Sequence, residues 1–379
     1  MEIEQNVWIE GKGWQHGHPG RLGDSAQLIL IFGSPDLIKE ERGLDDIKKS
    51  YPQAILAGCS SAGNISGTRV YDDALVIAAI KFDHTQVEGA MVDLGEDVNS
   101  FEAGARLAHS LDKDGLVHVL VLSDGVKANG SDLVRGLTSN LPRHVTVTGG
   151  LAGDDARFQE TFVMLDDAPR PGAIVGLGFY GDRLKVGIGS RGGWGPFGPD
   201  RVVTRSVGNV LYELDSQPAL ELYKRYLGEH AAGLPATGLL FPLGLRVEGS
   251  ENRLVRTILA VDDAERSMTF AGDVPEGATV QLMRANYERL VDGAAGAARI
   301  SYEAIGSSSP DLAVLISCVG RKLVLKQMIE EEVEGVRDVL GEQTRLTGFY
   351  SNGEIAPFGP TGNCELHNQT MTITTFSES

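Results

Sequence analysis

The sequence predicts an α/β protein of two domains, built from repeated βαβ units with glycine loops at the strand ends. Three observations lead there. Short apolar runs alternate with amphipathic stretches of helical period, each second run opens into a glycine-rich loop, and the whole pattern occurs three times. Short strands separated by helices favour right-handed crossovers in a parallel or mixed sheet.

In the first copy, Gln27 to Phe32 reads as a buried strand, Asp36 to Lys49 as a helix, and Ala54 to Ala57 as a second strand. That strand runs into Gly58-Cys59-Ser60-Ser61-Ala62-Gly63-Asn64-Ile65, and Ala74 to Ile80 follows as another apolar strand. The second copy has strand Val117 to Leu122, a helix over Ser131 to Ser139, strand Val145 to Thr148, the loop Gly149-Gly150-Leu151-Ala152-Gly153-Asp154 and a closing strand Thr161 to Leu165. The third runs through Leu312 to Cys318, a helix from Lys322 to Leu340, Thr344 to Thr347 and Gly348-Phe349-Tyr350-Ser351-Asn352-Gly353-Glu354-Ile355, and closes with Thr370 to Phe376. In such units Gly63, Gly153 and Gly353 are expected at corresponding places. Between the second and third copies, about Gly181 to Gly306, a helix over Pro218 to Leu227 and strands Leu254 to Val261, Ser267 to Phe270 and Ala278 to Met283 form a strand-rich insertion. The turn-forming run Gly192 to Pro199 marks the domain break near residue 200, giving domains 1–200 and 201–379.

Composition narrows the partners. Of 379 residues, 42% are hydrophobic, enough for cores without metals or disulfides. The 52 acidic against 34 basic residues give a net charge of −18, which repels phosphate backbones and anionic lipid alike. Nucleic acid and membrane are therefore excluded as partners by expectation. Apolar runs such as Leu116 to Leu122 are far shorter than the roughly 20 residues of a spanning helix. Met1 to Gly20 lacks the basic start and apolar centre of a signal peptide and reads as a flexible start. Cys59, Cys318 and Cys364 are too few for a disulfide framework. The expected location is the cytoplasm.

No G-x-G-x-x-G opens a helix after the first strand, and no G-x-x-x-x-G-K-[ST], G-x-S-x-G, C-x-x-C or H-E-x-x-H is present. Nucleotide, serine-hydrolase and zinc chemistry lose their usual signatures, so the chain is expected not to be an enzyme. The glycine loops are the candidate ligand site, because exposed backbone N–H groups and short polar side chains suit a polar ligand. The candidates are Ser60, Ser61, Gly63, Gly153, Asp154, Tyr350, Ser351, Asn352, Gly353 and Glu354. Arg256 and Arg284 offer a carboxylate clamp, or a solvated strand face. His367 falls between the last glycine loop and the last strand, opposite Tyr71 and Phe158 when the copies are aligned. It is either the aromatic packing position of the repeat or a neutral imidazole offered to iron.

These segments, together with Gly193-Trp194-Gly195-Pro196-Phe197-Gly198-Pro199, Ser317-Cys318-Val319-Gly320-Arg321 and Cys364-Glu365-Leu366-His367-Asn368-Gln369-Thr370, make the chain resemble the FIST family. The resemblance covers nearly the whole chain. It implies paired N- and C-terminal FIST domains and a role as a sensory input in signal transduction. One branch of the family binds haem, senses nitric oxide and acts on a histidine kinase or a cyclic-di-GMP enzyme. Membership there would make haem b the cofactor and His367 the axial ligand. Other members take small ligands such as amino acids. The first loop departs from the pattern, reading Gly63-Asn64-Ile65 where the third reads Gly353-Glu354-Ile355. An enzyme with a site assembled from the loops is the competing reading.

Overall fold

The computed structural model describes residues 1–95, 98–155, 157–246, 253–306, 309–358 and 362–378. Along the chain, β1 (Glu2–Ile9) and β2 (Gly13–Trp14) precede β3 (Leu28–Gly33), the short helices α1 (Pro35–Lys39) and α2 (Leu44–Ser50), and β4 (Ile55–Ser60). The hairpin β5 (Asn64–Ser66) and β6 (Arg69–Tyr71) leads to β7 (Ala74–Lys81) and β8 (Gln86–Asp93). After α3 (Ser100–Ser110) come β9 (Leu116–Ser123), α4 (Gly130–Thr138), β10 (Thr146–Leu151), β11 (Val163–Leu165), β12 (Ala173–Tyr180) and β13 (Leu184–Arg191). The insertion holds β14 (Gly195–Val207), β15 (Val210–Leu214), β16 (Gln217–Pro218), α5 (Ala219–Leu227), β17 (Leu243–Arg246), β18 (Arg253–Arg256), β19 (Ile258–Asp262), β20 (Ser267–Phe270) and β21 (Thr279–Arg284). The chain then runs through α6 (Tyr287–Ala304), β22 (Leu312–Cys318), α7 (Val319–Leu325), α8 (Ile329–Leu340), β23 (Arg345–Ser351), β24 (Gly353–Pro357), β25 (Cys364–His367) and β26 (Met371–Glu378).

Three sheets share one topology. β3 pairs parallel with β4 and antiparallel with β7, as β9 does with β10 and β12, and β22 with β23 and β26. The sheets then exchange pieces in a cycle. Hairpin β5–β6 joins β23, β11 joins β4, and β24–β25 joins β10. On the opposite edges β1 lies on β7, β8 on β12 and β13 on β26.

The period of two along each strand explains why these strands are apolar throughout. Leu28, Leu30 and Phe32 of β3 enter a core shared with Leu120 and Leu122 of β9 and Val314 and Ile316 of β22. Ile29 and Ile31 point the other way, onto Ile38, Leu44 and Ile47 of α1 and α2. The second and third sheets are covered in the same manner by α3 and α4, and by α6 and α8. In each parallel pair one glycine is forced by crowding: a Cβ on Gly58, Gly149 or Gly348 would lie 2.2, 2.1 or 1.8 Å from the carbonyl oxygen of Ile31, Val121 or Leu315. The insertion forms an eight-stranded sheet with its own core, which includes Leu211, Tyr223 and Phe270.

Several expectations are corrected. The start of the chain is not flexible: Glu2–Ile9 pairs along the whole of β7, with Val7 buried. The helix expected over 36–49 is two, broken where Glu41 and Gly43 adopt φ of +53° and +75°. The helix expected from 322 to 340 likewise breaks at Lys326, φ +52°. Residues 163–165 do not close the second unit but are exported to the first sheet, and Ala173–Tyr180 takes the closing place. The single strand expected from Leu254 to Val261 divides at Thr257, whose N–H is drawn to Asn368 Oδ1 at 3.3 Å. Helix α6 was not expected, since its buried face is Gly and Ala and gives little apolar contrast. Small residues are needed there because α6 lies directly on β13. A Cβ on Gly187 or Gly189 would fall 2.0 Å from the carbonyl of Ser301 or Ala297. Among the described residues no helix is long and apolar enough to cross a membrane.

Candidate functional site

The three glycine loops meet. Ala62 N–H donates to the Tyr350 carbonyl at 2.9 Å, Asn352 N–H to that of Leu151 at 3.1 Å, and Gly153 N–H to that of Ser60 at 3.0 Å. Donors and acceptors occupy equivalent positions counted from Gly58, Gly348 and Gly149, so the ring closes with threefold regularity. Gly153 is therefore the counterpart of Ala62 and Asn352. The expected match of Gly153 with Gly63 and Gly353 is displaced by one residue.

Side chains of these loops are consumed in holding the ring. Ser60 Oγ donates to the Gly153 carbonyl at 2.9 Å and accepts from Phe162 N–H at 3.0 Å. Ser61 Oγ donates to Asn64 Oδ1, and Ser351 Oγ makes the equivalent bond to Glu354 Oε1, both at 2.7 Å. Glu354 Oε2 accepts from the N–H and Oγ of Thr370 at 3.0 and 2.8 Å. Asp154 accepts from the N–H groups of Phe158, Gln159 and Glu160. Tyr350 Oη donates to Glu332 at 2.6 Å, and Glu332 pairs with Arg321 at 2.7 Å, both carrying fully buried side chains. Burial without a paired cation raises the Glu354 carboxyl to about 7, against the pull of its hydrogen bonds. Gly63 and Gly353 are buried beside Lys322 and Leu366 respectively. Asn352 donates to the Gly125 carbonyl at 3.2 Å, leaving its Oδ1 without a partner.

The open space lies elsewhere. A cleft of about 960 Å³ runs between β13, both ends of α6 and the insertion. Its walls include the backbone of Gly189, Gly192 and Gly193, the apolar Ile188, Trp194 and Met283, and charged Arg191, Arg253, Arg289, Asp292 and Glu303. None of the loop candidates lines it, whereas His367 and Thr370 do. Arg253 pairs with Asp200 at 2.8 Å but keeps Nη1 unpartnered. Among the described residues, Arg191, Arg289, Asp292 and Glu303 have no opposite charge within 4 Å. The Gly192–Trp194 wall is pinned from behind: Arg321 Nη1 and Nη2 donate to the carbonyls of Gly192 and Leu290 at 2.5 and 2.8 Å, and Trp194 Nε1 donates to that of Gln369 at 2.8 Å. Trp194 and the lining arginines come from three separate segments: Arg191 with Trp194, Arg253, and Arg289. The sequence signals only Gly192 to Pro199, as a turn.

His367 is the counterpart of Tyr71, since Glu354 and Asn64 are the respective cross-strand partners. Phe158 has no such place. The imidazole is 4% exposed, stacks on Phe358 at 5.8 Å and bonds the Ala356 carbonyl through Nε2 at 2.9 Å. A carbonyl only accepts, so Nε2 carries the proton, and burial lowers the ring's pKa to about 4. The ring is neutral at pH 7 with Nδ1 as its acceptor. Nε2, the nitrogen farthest from the main chain, is not presented to an iron. A haem at this residue fits only through Nδ1 or after loss of the Ala356 bond. Among the described residues no group of three or more His, Cys, Asp or Glu is placed to hold a metal. Arg256 is no clamp either. It is buried, gives Nε to the Asp273 carbonyl and Nη1 to that of Leu366 at 3.0 and 2.8 Å, and so ties the insertion to β25. Arg284 lies over the Phe197 ring.

An uncharacterized protein of Methanocaldococcus jannaschii is 24% identical over 343 residues, 83% of this chain and 64% of its own length. The chain thus spans less than two thirds of that relative. Among solved structures, a cyanuric acid hydrolase from A. caulinodans aligns at 10% identity over 78% of this chain and 99% of that one, with a TM-score of 0.19, a likeness that carries no argument. Residues 27–217 match the FIST N domain and residues 219–357 the FIST C domain, which together take in most of the chain. The chain belongs to the FIST family, whose domains sense small ligands in signalling.

Proposed function

We propose that this protein is a non-enzymatic sensor that takes a small ligand in the cleft beside β13 and reports its occupancy to a partner protein. The observation that carries the reading is the cleft's wall: glycine backbone, apolar side chains, one neutral imidazole and charged groups that have no ion-pair partner among the described residues. Desolvating unpaired charges is costly, so a polar ligand that pairs them gains on binding what the empty site lacks. Asp154, Tyr350 and Glu354 of the glycine loops are hydrogen-bonded internally and lie outside the cleft lining, which favours binding over catalysis. Signalling requires the ligand to interact differently with two states. The Gly192–Trp194 wall, held by Arg321 and Gln369, is the element that contacts both cleft and core. The partner in this reading is a histidine kinase or a cyclic-di-GMP enzyme, in the cytoplasm. A narrower reading makes the ligand haem b and the signal nitric oxide, and it rests on His367 alone.

Thermal unfolding in the presence of amino acids, small dicarboxylates and hemin tests the reading. A cleft ligand raises the Tm of the wild type and loses that effect in Arg289→Glu. A ligand whose effect is the same in both proteins binds elsewhere and removes the cleft. For the haem form, protein from haem-replete cells must show a Soret band that His367→Ala abolishes or shifts.

A further inference from the structure

β13 is an edge strand, and its edge opens into the cleft. Its sheet runs from β13 through β26, β22, β23 and β5 to β6, and among the described residues nothing pairs with its outer side. Helix α6 covers one face of β13 through Gly187 and Gly189, while Thr146 and His367 belong to β10 and β25 of a different sheet. Residues from both groups line one cleft with β13 between them, so the cleft passes along the free edge. Unpaired strand N–H and C=O groups there are a template for main-chain pairing.

The equivalent strands show what such an edge accepts. β1 is covered by the chain itself: β2 pairs with it, matching Trp8 to Trp14 and Ile9 to Gly13, and Gln15 N–H continues to the Val7 carbonyl at 2.9 Å. β8 ends its sheet with Glu88 and Asp93 exposed. Among the described residues, β13 alone of the three has neither a covering segment nor acidic side chains.

The charges have a direction. α6 runs antiparallel to β13, since Gly187, Gly189 and Gly193 meet the carbonyls of Ser301, Ala297 and Arg289 in turn. Arg191 and Arg289 therefore mark the C-terminal end of β13, with Asp292 one helical turn along. Glu303 marks the N-terminal end. From Val186 to Arg191 an extended chain advances roughly 17 Å, about five residues.

We propose that the ligand of this cleft is a free peptide of about five residues that adds a parallel strand to the edge of β13, with its carboxylate toward Arg191 and Arg289 and its ammonium toward Glu303. This rests on the cleft being the ligand site. The main chain supplies pairing common to all peptides, and the terminal charges set length and direction.

The probes are three pools of random pentapeptides: free at both ends, acetylated and amidated, and free-ended with N-methylated internal amides. Calorimetric titration of the wild-type protein is expected to show binding of the free pool, about tenfold weaker binding of the capped pool, and none of the N-methylated pool. Arg289→Glu should weaken the free pool by about tenfold and leave the capped pool unchanged. No binding of the free pool at millimolar concentration, or equal binding of the N-methylated pool, overturns the proposal. Equal binding of free and capped pools overturns the assigned polarity. If all peptides fail while a small acid or hemin still stabilises the wild type and not Arg289→Glu, the cleft remains the ligand site and the peptide falls alone.

Discussion

The glycine-loop ring and the cleft are built from opposite materials. At the ring, Ser60, Tyr350, Ser351 and Glu354 are fully buried, and their side-chain polar atoms are bonded to one another, to backbone or to the side chains of Glu332 and Thr370. At the cleft, Arg191, Arg289, Asp292 and Glu303 are exposed and have no ion-pair partner among the described residues. A saturated polar network resists change, because removing a member strands a buried partner. Groups left without partners tolerate change in stability and have interactions to offer a ligand. The most conspicuous sequence motif therefore holds its own loops together, and the open cleft lies where less conspicuous segments meet.

The contrast is open to attack by substitution. Arg321→Ala has the largest expected effect, because it leaves the fully buried Glu332 carboxylate unpaired and frees the carbonyls of Gly192 and Leu290. A loss of about 3–5 kcal/mol in urea unfolding is expected. A loss below about 1 kcal/mol would mean that the ring's surroundings are looser than the geometry requires.

Gly348→Ala comes next, at roughly 3 kcal/mol, since the new methyl would be placed 1.8 Å from the Leu315 carbonyl oxygen. Measuring Gly58→Ala and Gly149→Ala beside it asks whether the three sheets are equally crowded. Losses of similar size are expected.

The Glu354 carboxyl, raised from 4.5 to about 7, keeps its proton in the folded protein where the unfolded chain has lost it. Stability from this group is thus fully present below pH 4.5 and lost as pH rises to about 7. His367, lowered from 6.5 to about 4, acts in the opposite sense, and its contribution is gained as pH rises from about 4 to 6.5. The wild-type profile mixes the two, so the difference between wild type and Glu354→Gln is the quantity to follow. Glutamine can accept from Thr370 while donating to Ser351, whose hydroxyl then turns to the Ser317 carbonyl at 3.2 Å. The variant should gain on the wild type by about 3 kcal/mol between pH 4.5 and 7.5. A difference that does not vary with pH would show that Glu354 titrates normally.

The smallest effect separates the regions most directly. Ser60→Ala should cost about 1–2 kcal/mol, whereas Arg289→Ala should change stability by less than about 0.5 kcal/mol while weakening any cleft ligand. Equal losses of stability from the two would erase the distinction between ring and cleft.

By itself the sequence determined the α/β class, the strands Gln27–Phe32, Val117–Leu122 and Leu312–Cys318, and the glycine positions after them, because burial period and turn chemistry are local properties. It also singled out His367, which reaches the cleft, though not the bond to Ala356 that occupies Nε2. Tertiary structure decided which sheet each hairpin joined: β11 looks like a closing strand until its partner β4, more than a hundred residues away, is known. It decided that Ser351 and Glu354 face each other across the loop. It also brought Arg191, Arg253 and Arg289 together around Trp194 from segments whose local sequence marks only the turn from Gly192 and the strand beginning at Leu254, and gives no sign of the small-residue helix that carries Arg289. Hydrogen-bond partners and convergent charges are properties of long-range proximity, and a pattern of short period along one chain carries no record of them.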